Sequence, residues 1–435
     1  MQVLRILQNG TLQMSEKKKI VVISDHPMAP SGVGTQTKYM IEALLRTGRY
    51  KFVCLGGAMQ HDKYEPQSLT GEGWDDGDWV VYPVDGYGDA DMVRSLLWTE
   101  KPDMLWFMTD PRFYGWLWQI ENEVRSNLPM VYYHVWDNLP YPMYNKDSYE
   151  SNDVVVSISK VTHDIVNNVA PKVENHYLPH GVDSNIFKKL DEEQMATLRK
   201  QNFGEGDNKF TFFWNNRNAR RKQTGSLIMW FGQFAEEVGP ENVRLIMHTD
   251  PKDPHGQDIH ALLKDHNFAD GRIVISGQKV PPEQLAAMYN LSDCTVNISD
   301  AEGFGLATLE SLSCETPIIV NMTGGLQEQV TDGKEWFGVG IEPASKAIIG
   351  SQHVPYIYED RISKEDFIAA LHKMYDMSTE ERQELGKKGA AHVHKNYNFK
   401  DYQDKWVKII DDIVERHGSW GTRKGYKSWE IKEIA

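Results

Sequence analysis

The chain has 435 residues, 40% of them hydrophobic and 25% charged, with a formal net charge of −15 at neutral pH. Single cores stop growing at about 250–300 residues, so this length predicts two domains, and the composition excludes wholesale disorder. The acidic balance excludes binding of nucleic acid or anionic membrane by bulk charge, leaving only local basic groups: Arg217, Arg220, Arg221 and Lys222, or Arg423, Lys424 and Lys427 in the tail.

Met1 to Lys19 lacks the apolar core of a signal peptide, and residues 1–15, ahead of the Lys run that follows Met14, read as an extension. Lys19–Ser24 is a short apolar run with polar flanks, the pattern of a buried strand. A Gly/Pro-rich turn, Asp25–Gly34, leads into a helix over Thr35–Arg46, with Tyr39, Met40, Ala43 and Leu44 at helical spacing. Further strands are predicted at Lys51–Leu55, Met104–Met108, Met130–His134 and Val154–Ile158, the last followed by a helix capped by Ser159. Strands alternating with helices predict an α/β chain built on mostly parallel, doubly wound sheets.

Turn chemistry at His180–Asn185 and the polar runs Asp191-Glu-Glu and Gly204–Asn208 place a domain boundary there. Segments 1–190 and 205–395 therefore read as two Rossmann-like domains, and 396–435 as a terminal helix plus tail. In the second half, strands are predicted at Phe210–Trp214, Val243–His248, Arg272–Ser276, Asp293–Ile298 and Pro317–Asn321. The helix Phe399–Arg416 carries Tyr402, Trp406, Ile409, Ile410 and Ile413 on one face. Cys54, Cys294 and Cys314 are far apart without C-x-x-C spacing, which suits reduced, buried thiols and a cytoplasmic chain. No run approaches the roughly 18 apolar residues of a membrane span.

The segment Ser299–Glu328 carries the most chemistry. A strand ends near Ile298 and a helix starts near Phe304, with Gly303 and Gly305 between, so an anion can approach the backbone and meet free N–H groups at the helix start. Glu302 precedes that helix, and Glu310 lies about 12 Å further along at 1.5 Å per residue. That separation is of the size of a sugar joined to a diphosphate and ribose.

The spacing Glu302-x7-Glu310, with Gly303-Phe304-Gly305 and the later Thr323-Gly324-Gly325, resembles the signature of retaining GT-B glycosyltransferases of family 4, the glycosyl transferases group 1. The resemblance implies two Rossmann-like domains facing a central cleft, the first on the acceptor side and the second binding the nucleotide sugar. It implies a donor-sugar contact for Glu302 and a ribose contact for Glu310, with Gly303, Phe304, Gly305 and Leu306 lining the donor site. Arg217 and Lys222, five residues apart after the first strand of the second half, look like the family's pair that grips the diphosphate. Such cations give charge-assisted contacts and stabilise the leaving group; the alternative is a solvated basic loop or a nucleic-acid patch.

Gly277, Lys279 and Val280 resemble the family segment that meets the base. Gly32 and Gly34 resemble its first-domain glycine loop facing the diphosphate. That loop is not a dinucleotide fingerprint: Thr37 stands for the third glycine and no acid ends the next strand. His134 matches the family's cleft histidine, expected to hydrogen-bond the donor sugar, with Asp137 as a residue that orients it. His180-Gly-Val-Asp183 resembles a family turn and is read as structural. The terminal helix resembles the one that crosses back onto the first domain. Ile341–Tyr358 is longer than the family's stretch there and is similar to glycosyltransferases carried by tailed phages.

The reading that results is an enzyme, a metal-independent retaining glycosyltransferase. It takes a UDP- or GDP-type sugar as co-substrate, with no cofactor, and passes the sugar to a hydroxyl of a glycan or small molecule. Two other readings stay open. One is glycosylation of a hydroxylated base in phage DNA, supported by the phage-like segment and the basic tail. The other is a nucleotide-sugar 2-epimerase, which shares the architecture but needs several acid/base carboxylates. Asp76-Gly-Asp78 is the D-x-D arrangement of metal-dependent transferases, here read as a solvated acidic loop, and no His/Cys cluster has metal-ligand spacing. Thirteen tryptophans, among them Trp106, Trp116, Trp118 and Trp136, read mostly as core or surface fillers, with sugar or base stacking as the alternative. Oligomeric state is not written in the sequence.

Overall fold

A computed structural model describes residues 16–59 and 61–429; the expected extension over residues 1–15 lies outside the described residues. They form two compact units. One takes in the chain up to Met108, Gln119–Val131 and the chain from Trp406 onward; the other takes in Thr109–Trp118 and Tyr132–Lys405.

The first unit is built on parallel strands. Lys18–Asp25 lies between Tyr50–Gly57 and Met104–Thr109, with Ile20 opposite both Phe52 and Met104, and Tyr50–Gly57 pairs in turn with Trp79–Pro83. Ile20, Val21, Val22 and Ile23 are essentially inaccessible, as a strand covered on both faces requires. The helix Gly32–Leu45 packs Met40, Ile41, Leu44 and Leu45 inward, and Trp106 meets Trp406 edge to face at 5.7 Å.

The second unit holds a six-stranded parallel sheet. Its spatial order is Ile273–Ser276, Val243–His248, Phe210–Asn215, Cys294–Asn297, Ile318–Asn321, Gly338–Ile341. Numbered along the chain this order is 3-2-1-4-5-6, the doubly wound order. Leu227, Ile228, Phe231 and Phe234 of the helix Thr224–Val238 fill its core with Phe212, Trp214, Leu245 and Val296. The same unit carries Val154–Ser157 paired in parallel with Glu174–Tyr177. The helix Lys160–Val169 begins at Ser159, which accepts from the Thr162 amide and completes a capping box, as its position predicts. The long segment after Ile341 folds as an antiparallel hairpin, Ser345–Ile349 against Ile357–Arg361.

All three cysteines are buried and free; burial pushes the Cys54 thiol up to about 12. No helix among the described residues is long and apolar enough to cross a membrane.

Candidate functional site

The six-stranded sheet reverses its winding between Phe210–Asn215 and Cys294–Asn297, and ligands of such sheets gather outside the carboxyl ends of the strands at that reversal. The loop leaving the first of these strands carries Arg217, Arg220, Arg221 and Lys222; the loop leaving the second carries Asp300, Glu302, Gly303, Phe304 and Gly305.

The two loops are joined by a buried ion pair. Lys222 Nζ is bonded to Glu302 Oε2, the two side chains being 8% and 11% exposed. Arg221 Nη1 stands 3.8 Å from Glu302 Oε1 and donates to the Ala301 carbonyl at 2.5 Å. Burial alone would raise the Glu302 carboxyl, but the charges of Lys222 and Arg221 outweigh it and hold it down at about 2. Burial, aided by Arg221, pulls Lys222 down to about 8 against the attraction of Glu302, which still leaves a cation at neutral pH.

Glycines allow the backbone around this pair to close up. Gly305, at φ 90°, caps the helix Leu306–Ser313, so the helix begins two residues later than Phe304. Gly324, at φ 49°, lies so close that a Cβ there would fall 1.9 Å from the Glu302 carbonyl oxygen. The Gly325 amide donates to that same oxygen at 2.9 Å. Phe304 is buried with its ring 4.8 Å from that of His180, and a Cβ on Gly181 would meet Tyr402, so His180 and Gly181 are packing residues.

The segment after Met130–His134 lies against the Glu302 loop, since a Cβ on Gly303 would sit 3.1 Å from the Val135 carbonyl oxygen. His134 is fully enclosed, its Nε2 bonded to Tyr149 Oη at 2.9 Å and its Nδ1 without a hydrogen-bond partner among the described residues. Burial holds its imidazole neutral, at about 3. The expected pairing of Asp137 with His134 is therefore not formed. His134 is enclosed and bonded to Tyr149, whereas Asp137, three residues on, lies within electrostatic reach of Arg221, Glu302 and Lys222. Burial is the main influence that raises Asp137 to about 6, with Glu302 adding and Arg221 opposing.

Glu310 is half-buried on the helix Leu306–Ser313, and burial raises its carboxyl to about 7. Its Oε2 accepts from Tyr289 Oη at 2.9 Å, and that hydroxyl accepts from Asn215 Nδ2 at 2.9 Å. Sequence reasoning missed both partners, because an aromatic and an asparagine ending a strand carry no spacing signal of their own.

Arg217 does not share a partner with Lys222. Its exposed guanidinium is held by Asp253, with Nη2 also 2.8 Å from His255 Nδ1. Arg220 pairs with the buried carboxylate Glu359 of the hairpin, which also binds Arg361. Asp300 accepts from Gln223 at 2.7 Å and is raised to about 6, chiefly by burial. The hairpin is fixed by Tyr358 N donating to the Leu139 carbonyl at 2.5 Å, Asp360 N to that of Asp300 at 3.0 Å, and Tyr144 Oη to that of Tyr356 at 2.8 Å.

Gly277, Lys279 and Val280 form the turn between Ile273–Ser276 and the helix Pro282–Leu291, with Gly277 and Lys279 exposed. In the other unit, Gly32 and Gly34 stand in the first turn of Gly32–Leu45. There Ser31 caps the Gly34 amide at 3.0 Å and donates to Asp25 at 2.6 Å. A Cβ on Gly34 would lie 2.7 Å from the His26 carbonyl oxygen, so the packing itself demands glycine. Asp78 is not solvated: it is buried, bonded to Lys17 Nζ at 2.6 Å and the Asp75 amide at 2.9 Å, while Asp76 accepts from Ser68 at 2.7 Å.

Comparison with known proteins bears on this arrangement. Residues 199–392 match the family model "Glycosyl transferases group 1". The chain is 38% identical over 90 residues to D-inositol 3-phosphate glycosyltransferase of Acidothermus cellulolyticus, 20% of each chain. Over eight curated relatives it spans 20% to 58% of their length. Among solved structures it is similar to sucrose-phosphate synthase of Thermosynechococcus elongatus, at TM-score 0.72 and 18% identity over 92% of this chain and 100% of that one. It is also similar to Anabaena HepE in complex with UDP-glucose, at TM-score 0.66 and 13% identity over 91% and 99%. The chain thus has the GT-B fold of these glycosyltransferases, and its residues 199–392 are similar to the glycosyl transferases group 1 family.

Proposed function

We propose that the protein is a retaining glycosyltransferase that moves a sugar from a UDP- or GDP-type nucleotide sugar to an acceptor hydroxyl on a glycan or small molecule. The observation that carries this reading is the buried Lys222–Glu302 pair with Arg221 at the sheet's reversal, beside the glycine-capped start of Leu306–Ser313. Cations and free backbone N–H groups at one point suit a diphosphate, and an ionised carboxylate held among them suits sugar hydroxyls. The HepE structure, solved with UDP-glucose, supports a donor of this class.

In this reading the bond between the anomeric carbon and the diphosphate oxygen breaks. The acceptor oxygen bonds to the same face of that carbon, and the acceptor proton passes to the departing phosphate oxygen. Arg217 and Lys222 hold the charge that develops on the leaving group, and Glu302 holds the sugar. Glu310 takes the ribose, and Gly277, Lys279 and Val280 take the base. His134 hydrogen-bonds a sugar hydroxyl through Nδ1, the ring nitrogen that Tyr149 leaves open. No metal takes part in the step so written. Segments 1–190 and 205–395 serve as acceptor-side and donor-side domains, with 396–435 as the returning helix and tail.

A thermal-shift panel of nucleoside diphosphates and their sugars, with and without EDTA, tests the reading. Stabilisation by one nucleotide, unchanged by EDTA, is the expected result. No shift with any of them counts against a donor site. Free nucleotide diphosphate released only in the presence of acceptor separates transfer from epimerisation.

A further inference from the structure

Three segments of the second unit converge on one hydroxyl. Asn215 ends the strand that leads into the Arg217–Lys222 loop. Tyr289 lies on Pro282–Leu291, the helix that follows the Gly277–Val280 turn. Glu310 lies on the helix that follows Glu302 and Gly305. Asn215 Nδ2 donates to Tyr289 Oη at 2.9 Å, and Tyr289 Oη donates to Glu310 Oε2 at 2.9 Å.

The direction of this chain is fixed by its members. An amide nitrogen only donates, so the Tyr289 oxygen must accept from Asn215, and its single proton is left for the carboxylate. Tyr289 has no freedom to turn away: it is 0% exposed, its ring 5.2 Å from that of Phe213 and 6.2 Å from that of Phe187, and its carbonyl accepts from Thr316 Oγ1 at 2.8 Å. Glu310 is half-buried and its Oε1 bonds no other described residue.

We infer that Tyr289, oriented by Asn215, is a positioning residue for Glu310: it occupies Oε2 and presents Oε1 to the vicinal hydroxyls of the nucleotide ribose. This rests on the reading of Glu310 as the ribose carboxylate. The relay also ties the base-side helix to the ribose-side helix, so the spacing of two nucleotide contacts depends on one bond. The groups facing Glu310 are the Tyr289 hydroxyl, which favours the ionised carboxylate, and the Cys314 thiol, whose own proton burial makes harder to lose. Among the described residues no cation pairs with Glu310, so the tyrosine is the main support of its charge.

Titration calorimetry with UDP and with GDP at pH 6.5, 7.5 and 8.5 tests this on the full chain, using Tyr289→Phe, Asn215→Ala and Glu310→Ala. Tyr289→Phe is expected to weaken the nucleotide that binds by about 10-fold at pH 6.5 and to recover most of it by pH 8.5, because the carboxylate then ionises without the hydroxyl. A merely structural tyrosine would lower affinity equally at every pH. Asn215→Ala keeps the ring and is expected to move the same way by about 3-fold, and it serves if Tyr289→Phe does not fold. If Glu310→Ala weakens binding but both relay variants match the wild type or fall equally at all pH values, the inference is wrong and the ribose assignment stands. If Glu310→Ala binds as tightly as the wild type, or neither nucleotide binds the wild type, the ribose reading and the inference fall together.

Discussion

Lys222 and Glu302 are bonded across 80 residues of sequence, with neither side chain more than 11% exposed. A buried pair stabilises weakly as a pair, but either member alone is costly, because the charge left behind has no partner. Glu302→Leu and Lys222→Met are each expected to cost about 3–5 kcal/mol of stability by this logic. The double variant Lys222→Met, Glu302→Leu should recover most of that loss, while transfer stays abolished in all three. Urea unfolding beside a donor-consumption assay checks both halves. Losses that simply add in the double variant would show that the two charges do not support one another.

Among the described residues, five carboxyls in this unit are raised by burial: Glu310 to about 7, Asp137 and Asp300 to about 6, and Asp293 and Glu328 above their ordinary range. The sign follows from proton counting. Between the unfolded carboxyl range near pH 4 and the folded values, the native chain holds protons that the unfolded chain has lost, so this part of the stability falls as pH rises. Glu302 acts oppositely: its depressed carboxyl stabilises above its unfolded range and is lost as pH falls towards 2. The melting temperature is therefore expected to decline from pH 5 to pH 7. Glu310→Gln should flatten that decline by up to about 3 kcal/mol in free energy. A decline as steep in Glu310→Gln as in the wild type would place the titration elsewhere.

Where hydrophobic periodicity speaks, the sequence is legible. Phe210–Trp214 and Val243–His248 stand in the sheet within a residue of their apolar runs, because a strand covered on both faces must be mostly apolar. Ser159 is legible as a cap because few residue types can hold a free amide there. The partners of charged groups are not legible. Nothing near Arg217 in sequence points to Asp253, 36 residues away, and Glu359 reads as one more acid in a polar stretch until the hairpin brings it to Arg220. The Asp137–His134 expectation failed for a related reason. Closeness in sequence is not contact: the strand ends between them, so His134 is enclosed in the core and Asp137 lies near the Glu302 loop.

Three glycines grade the tolerance of the Glu302 loop. A Cβ would come within 1.9 Å of the Glu302 carbonyl oxygen at Gly324, 2.5 Å of Leu326 at Gly305 and 3.1 Å of the Val135 carbonyl oxygen at Gly303, and the first two also sit at positive φ. Backbone cannot yield as a side-chain tip can, so alanine should cost most at 324, less at 305 and least at 303. Losses of about 3 kcal/mol or more, about 2 and under about 1 are expected. Because position 324 presses on Glu302 itself, Gly324→Ala should also cut turnover, whereas Gly303→Ala should leave it within about threefold. Chemical unfolding and initial rates on the three variants decide it; a reversed order would mean that the loop relaxes around residue 324.

Arg217 is paired with Asp253, which would compete for it with the diphosphate of the proposed donor. The carboxylate is held well below its ordinary range, first by its hydrogen bond from Arg217, while the guanidinium keeps 61% of its surface exposed. Surface pairing of this kind is worth little and is screened by salt, so the arginine can be drawn away by a more highly charged partner. Asp253→Asn should therefore tighten nucleoside diphosphate binding by about 2–5-fold, a modest factor because only a weak hold is removed. The gain should be largest at low ionic strength. Arg217→Ala should weaken binding, and adding Asp253→Asn to it should restore nothing, since the aspartate acts only through the arginine. Calorimetry on the three variants at two salt concentrations reads this directly. An unchanged affinity in Asp253→Asn would mean that Arg217 stays on its loop when the nucleotide binds and that Lys222 and Arg221 carry the diphosphate alone.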